Sequence, residues 1–329
     1  GSVSFDSTKF CPVDLSSAGH FCIMRGKGDA SPQEAGNMRY LESFTFPDRN
    51  EEELYFAQET AKNRRTCYTT KYPFHVFRYR HLPELQFAPL TILYGGNGSG
   101  KTTMLNLIAE KLRLQRGAVF NRSDFYEDYL DLCRYRLSGG QSVPEGSRII
   151  TSDDVFDYLL EIRCINDGID KERAHLLDQY HRDRWEPYHL KGLSDYREFC
   201  RRSDAKSASQ SEYVRRQLAA NVPERSNGES ALSYFTESIQ EHALYLLDEP
   251  ENSLSAARQI DLKRFLEDSV RFFGCQFIIS THSPFLLSIR DARIYDLDAD
   301  PVQTKPWTAL ENVRLYFDFF QEHAPEFRT

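Results

Sequence analysis

Three short stretches of the 329-residue sequence hold residue types whose spacing could do chemistry. The first, Gly95-x-x-x-x-Gly100-Lys101-Thr102, is a glycine-rich run closed by a lysine and a hydroxyl. Glycines let successive backbone N–H groups turn inward around phosphate oxygens, and a following helix adds its positive N-terminal dipole. The pattern is a P-loop, so Gly95, Gly96, Asn97, Gly98, Ser99, Gly100, Lys101, Thr102 and Thr103 are the candidate nucleotide-binding residues. Lys101 would reach the β- and γ-phosphates, and the Thr102 hydroxyl would bind Mg²⁺. The second, Leu244-Tyr245-Leu246-Leu247-Asp248-Glu249-Pro250, is an apolar run ending in two adjacent acids. Neighbouring side chains at a strand end project differently, so Asp248 can serve the metal through water while Glu249 polarises an attacking water as general base. The third, Phe277-Ile278-Ile279-Ser280-Thr281-His282, ends in a histidine whose neutral ring could donate to a γ-phosphate. A lone histidine after a strand is more often structural. Behind two phosphate-site motifs it reads as catalytic, beside Glu249.

Each stretch needs an element to aim it. Leu90–Tyr94 reads as a buried strand feeding the glycines, and Met104, Leu105, Leu107, Ile108 and Leu112 give the next segment one helical face. Further strands are expected at 148–151, 244–247, 276–280 and 292–297, with helices over 231–243, 256–273 and 311–323. Alternation predicts two more strands, at 39–46 and 72–79, with an acidic segment between them. Residues 152–225 are rich in Arg, Asp, Glu, Tyr and Gln and read as several short helices, broken at Gly168, Pro187, Gly192 and a Ser-rich 206–211. Residues 1–37 show no periodicity and read as an irregular extension. Strand–helix alternation around an early Gly-rich turn predicts an α/β fold with a mixed, mainly parallel sheet. Its core would be 38–151 and 226–329, with antiparallel strands at the N-terminal side and 152–225 as a helical insert.

A P-loop, an apolar strand with Asp-Glu-Pro and a strand with Thr-His together resemble the ABC-type ATPases. The likeness is to the soluble branch of SMC heads, RecF-like and OLD-like ATPases, and within it to the bacterial group termed AAA-family predicted ATPases; it covers about residues 38–319. It implies a P-loop NTPase of ABC type, ATP and Mg²⁺ as cofactors, hydrolysis to ADP and phosphate, and a homodimer formed on ATP binding. It also implies a signature segment that a partner subunit lays against the γ-phosphate, and the sequence offers two. Leu137-Ser138-Gly139-Gly140-Gln141 matches the transporter signature letter for letter, yet Ser138 lies 110 residues before Asp248. Ser226 lies 22 residues before it, at the start of a helix running into the Asp248 strand, as the family requires. Ser226, Asn227, Gly228 and Glu229 are therefore assigned as the signature, acting in trans, and 137–141 as a chance match. Ser226 and Glu229 also have the spacing of a helix capping box, and the two roles are compatible. Where the family places a glutamine after 148–151, Ser152-Asp153-Asp154 stands, with Gln141 the weaker candidate. Asn252–Ser255 resembles the loop coupling the two sites of a dimer. Tyr68, Tyr72 and Phe77 are open alternatives for the aromatic stacked on adenine.

Composition narrows the setting. No run of 18 apolar residues is present, the first residues lack a basic-then-apolar leader, and seven cysteines show no CxxC pair or zinc spacing. A cytoplasmic protein with no membrane partner is expected. Forty-one basic and 49 acidic residues, net −8, argue against a generally basic nucleic-acid binder. Residues 161–225, however, hold 13 basic against 12 acidic residues, including Arg182, Arg184, Lys191, Arg201, Arg202, Arg215 and Arg216. Folding would either gather these on one face, for nucleic acid or an acidic partner, or lace them into salt bridges. The resemblance implies an ATP-dependent dimer switch with a protein partner, in DNA maintenance or phage defence. The alternatives are an energy subunit of a membrane transporter and a scaffold that binds ATP with little turnover.

A signature in trans gives a direct test. Ser226→Arg should release no phosphate alone, yet regain activity when mixed with Lys101→Ala, because their heterodimer keeps one composite site. Ser138→Arg should stay active; a dead Ser138→Arg beside an active Ser226→Arg would reverse the assignment.

Overall fold

Leu90–Tyr94, Leu244–Asp248 and Gln276–Ser280 are buried at every residue, as strands covered on both faces require. The structure is a computed structural model describing residues 38–328 except 59, 61, 66, 141, 189–191, 193, 194 and 223–226. The expected extension 1–37, Gln141, Lys191 and Ser226 lie outside the described residues. In chain order the elements are β1 (Leu41–Thr45), α1 (Arg49–Ala57), β2 (Leu85–Gln86), β3 (Leu90–Tyr94), α2 (Lys101–Lys111), α3 (Tyr126–Leu132), β4 (Arg134–Leu137), β5 (Arg148–Thr151), α4 (Ser152–Trp185), α5 (Tyr196–Ser207), α6 (Gln210–Gln217), α7 (Asn227–Ser238), β6 (Leu244–Asp248), α8 (Ala256–Phe273), β7 (Gln276–Ser280), α9 (Pro284–Leu287), β8 (Arg293–Asp296), β9 (Gln303–Thr304) and α10 (Glu311–Glu322).

Among the described residues these strands make two sheets, an antiparallel β2-β1-β4 and a six-stranded β5-β6-β7-β3-β8-β9. In the larger sheet every pair is parallel except β8 with β9, so the α/β class with a mainly parallel sheet holds. Thr151 pairs with Asp248, Asp248 with Ser280 and Ser280 with Leu93. The carboxyl ends of β5, β6, β7 and β3 therefore finish level, at the edge where α/β sheets bind ligands. One apolar cluster joins Met104, Leu105 and Ile108 of α2 to Phe44, Phe74, Phe125, Tyr126 and Tyr129. A second joins Ala231 and Phe235 of α7 to Leu262 and Leu266 of α8. The buried Gln276 amide ties the sheets together: its oxygen accepts from the Tyr40 and Leu41 N–H groups at 2.7 and 2.9 Å, and its nitrogen donates to Leu41 O at 2.8 Å.

Three expectations fail. Residues 72–79 form turns, not a strand: Phe74 and Phe77 are buried three residues apart, and His75 sits at φ 70°. The alternation of aromatics there reflects a folded loop pressed against α2 and the P-loop. Residues 152–185 form one continuous 34-residue helix, because Gly168 costs only about 1 kcal/mol against alanine inside a helix. The helix ends at Trp185, ahead of Pro187. Helix α7 begins at Asn227 rather than Ala231 and stops at Ser238, where the Gln240 N–H donates to the Tyr245 hydroxyl at 2.6 Å.

Helices α4, α5 and α6 share a small core of Leu176, Tyr180, Ala205, Ala208, Tyr213 and Val214. The expected cations are partly consumed inside this lobe. Asp183, only 2% exposed, accepts from Arg201 Nε at 2.6 Å and Nη2 at 3.1 Å and lies 3.6 Å from Arg202 Nε. Arg184 donates to the Ala205 and Ala208 carbonyls at 3.1 Å, and Arg216 pairs with Glu212. Salt bridges account for Arg201, Arg202 and Arg216, and hydrogen bonds to backbone carbonyls and the Tyr180 hydroxyl for Arg184. Arg201→Glu would face a buried carboxylate with another charge, at a cost of about 1–3 kcal/mol or more. Hydrogen exchange should then quicken across 176–217 while β3, β6 and β7 keep their protection.

Candidate nucleotide site

Strand β3 delivers the chain into the P-loop at Gly95, and α2 leaves it at Lys101. The turn closes with Gly100 at φ +92°, where a Cβ would stand 2.6 Å from the Phe77 ring. Left-handed backbone and a ring in contact both exclude a side chain there. Gly98 is left-handed as well, at φ +79°. Lys101 is buried, and its ammonium donates to Gly95 O at 2.8 Å and Gly96 O at 3.1 Å. The cation thus lies across its own loop, where phosphate oxygens could replace the two carbonyls.

Asp248 lies at the end of β6, 7% exposed. Its Oδ1 accepts the Thr102 hydroxyl at 3.1 Å and the Ser280 hydroxyl. Burial raises its pKa above the ordinary carboxylate value, while the Ser280 and Thr102 hydrogen bonds oppose the rise. Thr102 and Asp248 present two hard oxygen donors at the loop's mouth, a set that suits Mg²⁺ once phosphate and water complete its shell. Among the described residues no cluster of three His, Cys, Asp or Glu could hold a metal alone.

Glu249 adopts a left-handed backbone, φ 46°, ψ 55°, costing about 1–2 kcal/mol for an L-residue. Its N–H donates to Ser280 O at 3.0 Å, which holds the strained turn in place. Its Oε1 lies 3.6 Å from Lys101 Nζ and 4.0 Å from His282 Nδ1, and its Oε2 accepts from Asn252 Nδ2 at 3.1 Å. The P-loop lysine, the two acids and His282 therefore do come together.

Other sequence-derived candidates land in different places. Ser138–Gly140 is a turn after β4 on the antiparallel sheet, not the start of the helix before β6. Asn227, Gly228 and Glu229 open α7; Arg163 of α4 donates to Asn227 Oδ1 at 3.0 Å and Arg258 of α8 to Glu229 at 2.8 Å. Where the family's glutamine was sought, Asp154 caps α4 and accepts from Thr151 and from the Ala118 N–H, leaving Asp153 to line the cavity beside Thr102. That cavity, about 680 Å³, is also lined by Tyr72, Thr103, Asn106, Arg116 and Phe120. Tyr72 donates to Thr103 Oγ1 at 3.2 Å, Tyr68 meets Phe125 edge-on, and Phe77 is buried beneath Gly100. Of the three aromatics only Tyr72 faces the cavity. Sequence reasoning missed Phe120, over which Arg116 sits at 3.8 Å, and Asp298, which accepts the Gly96 N–H at 2.7 Å. It also missed Ser280 and Glu251, since nothing in a strand end or an acidic turn marks a side chain that reaches across to another element.

A strand, a glycine loop and a helix in this geometry make the fold a P-loop nucleotide-binding one. The family follows from a family model described as ABC transporter, which matches residues 84–252, a little over half of the chain. The chain belongs to that family. Among solved structures, it is similar to the Smc head domain of Pyrococcus furiosus bound to the C-terminal domain of ScpA (14% identity, 73% of this chain and 94% of that one, TM-score 0.35). It is also similar to the SMC head domain of Thermotoga maritima (14%, 68% and 92%, TM-score 0.32). A dimeric ATP-binding cassette in a post-hydrolysis state with ADP and Pi gives 13%, 69% and 90%, and a TM-score of 0.33. No curated protein sequence matches the chain. Among the described residues no helix is long and apolar enough to cross a membrane.

The raised pKa of Asp248 has a signed consequence. The folded, metal-free protein keeps this proton to higher pH than the unfolded chain, so Asp248 costs stability as pH rises from its ordinary value through its raised one. Asp248→Asn should therefore melt higher than wild type above that window and converge with it below. Melting curves without nucleotide or metal, from about pH 4 to about pH 8, check this; a difference that does not change with pH would refute it.

Proposed function

We propose that the chain binds and hydrolyses ATP as an ABC-type subunit, two copies closing over two nucleotides. The observation that carries this reading is the placement of Glu249: a carboxylate on a strained turn, 3.6 Å from the P-loop lysine and 4.0 Å from a histidine ring. Such a group is held for a task rather than for stability. In this reading the P-loop amides and Lys101 bind the phosphates, and Thr102 and Asp248 hold Mg²⁺, which would neutralise charge developing on them. Glu249 orients the attacking water and takes its proton, while His282 steadies the γ-phosphate. Ser226–Glu229 of the second copy would close the site, so that hydrolysis separates the pair and switches an attached partner. Tyr72 and Phe120 are the candidates for the adenosine end of the cavity. The internal pairing of Arg184, Arg201, Arg202 and Arg216 gives no support to nucleic-acid binding by the lobe. The family model's description favours a second reading, an energy subunit of a transporter, and co-purification with a membrane fraction would distinguish it.

Two variants separate binding from chemistry. Nucleotide at about 100 times its dissociation constant should stabilise the wild type by about 2.7 kcal/mol, and Lys101→Ala should abolish that shift. Glu249→Gln should keep it, accumulate as an ATP-bound dimer on size exclusion, and release phosphate at least about 10²-fold more slowly. Near-wild-type turnover by Glu249→Gln would remove Glu249 as the base.

A further inference from the structure

The carboxylate nearest the His282 ring is not Glu249. Glu251 follows it by two residues in the turn Pro250–Ser253, and its side chain is only 6% exposed. Its Oε1 accepts the Thr281 hydroxyl at 2.7 Å and the His282 N–H at 2.9 Å, and stands 3.3 Å from His282 Nδ1. One oxygen thus reaches the backbone and the ring of the same histidine. The loop is secured further on: the Ser283 N–H donates to Thr281 Oγ1 at 3.0 Å, and its hydroxyl to Gln259 Oε1 on α8 at 2.6 Å.

The other oxygen of Glu251 is buried and has no hydrogen-bond partner among the described residues. An orphaned buried oxygen costs stability, and a residue serving only to shape a turn has no reason to bear it. Charge is distributed unevenly around the ring. Glu251 lies on one side, Glu249 at 4.0 Å is already engaged with Lys101 and Asn252, and Arg314 of α10 lines the adjoining cavity.

We propose that Glu251 is a positioning residue: it clamps the Thr281–His282 segment to the turn that carries Glu249, so that base and histidine move as one unit. With Nδ1 beside Glu251, Nε2 is the ring nitrogen left to meet phosphate. This deepens the hydrolysis reading and rests on it. The clamp joins two segments that lie side by side only because β6 and β7 pair in register, Asp248 opposite Ser280. Loss of the clamp should impair turnover through His282 and leave ATP binding, made by the P-loop, intact.

The experiment compares Glu251→Gln, Glu251→Asp, Glu251→Ala, His282→Ala and the double variant Glu251→Ala/His282→Ala. Phosphate release is measured against ATP concentration, and amide hydrogen exchange across 277–284 without nucleotide. Glu251→Ala should lower kcat by about 10²-fold, the scale of an ångström of misplacement, with KM for ATP little changed. Glu251→Gln keeps an accepting oxygen at the same reach and should restore most of the loss. Glu251→Asp keeps the charge but is one methylene short, so it should resemble Glu251→Ala; this variant replaces the alanine if that one does not fold. The double variant should be no slower than His282→Ala, and exchange at His282 should quicken in the Ala and Asp variants but not in Gln. Wild-type turnover by Glu251→Asp, a rise in KM alone, multiplying effects of the two sites, or unchanged exchange at His282 would each overturn the proposal. A wild-type chain that releases no phosphate would instead overturn the hydrolysis reading, and the exchange measurement would then decide the clamp by itself.

Discussion

Asp248 buries a carboxylate at the end of β6, and hydroxyls from two other elements, Thr102 of α2 and Ser280 of β7, donate to one of its oxygens. That junction draws the P-loop, the acidic pair and the histidine loop onto one sheet edge. It exists only if β6, β7 and β3 run parallel and in register, because a shift of one residue would turn Asp248 to the opposite face. Burial resists ionisation of the carboxylate while the hydroxyls favour it. The carboxylate therefore holds its proton more tightly than an exposed one, and a cation at the loop's mouth would favour its ionised form.

From that junction the site is built outward by contacts that each constrain a backbone. The left-handed turn at Glu249 is held by Ser280, the left-handed turn at Gly100 rests on Phe77, and Tyr72 reaches Thr103 on the first turn of α2. Residues 72–79 therefore serve as a wall of the P-loop. Buried Glu52 of α1 supports that wall by accepting the His75 N–H, at 3.2 Å to Oε2.

The helical lobe is continuous with the site rather than appended to it. Helix α4 starts at Ser152, directly after Thr151, which is level with Asp248, and continues unbroken for 34 residues. Along the way Arg163 bonds Asn227 at the start of α7, while Arg258 holds Glu229 from the other side. Two guanidinium groups thus hold the first turn of α7. A displacement of α4 has a direct mechanical path to it.

The local code of this chain was legible where neighbours in sequence decide the outcome. Consecutive glycines before a lysine, unbroken apolar runs buried on both faces, and the helical period of α2 and α8 announce themselves without tertiary help; α8 was expected at 256–273 and spans those residues. The meeting of Lys101, Asp248, Glu249 and His282 was inferred from strand ends, and the parallel register realises it. Sequence misled where distant atoms outweigh local preference. Aromatic packing bent 72–79 out of a strand, and α5 and α6 packing on α4 outweighed the small helix cost of Gly168. Glu251, Ser280 and Asp298 were invisible for the same reason: a carboxylate or hydroxyl gains its role from the partner that folding brings within 3 Å, and that partner lies 30 to 202 residues away. Local periodicity determined which elements form. Only the assembled sheet, by aligning strand ends far apart in the chain, decided which polar atoms face one another.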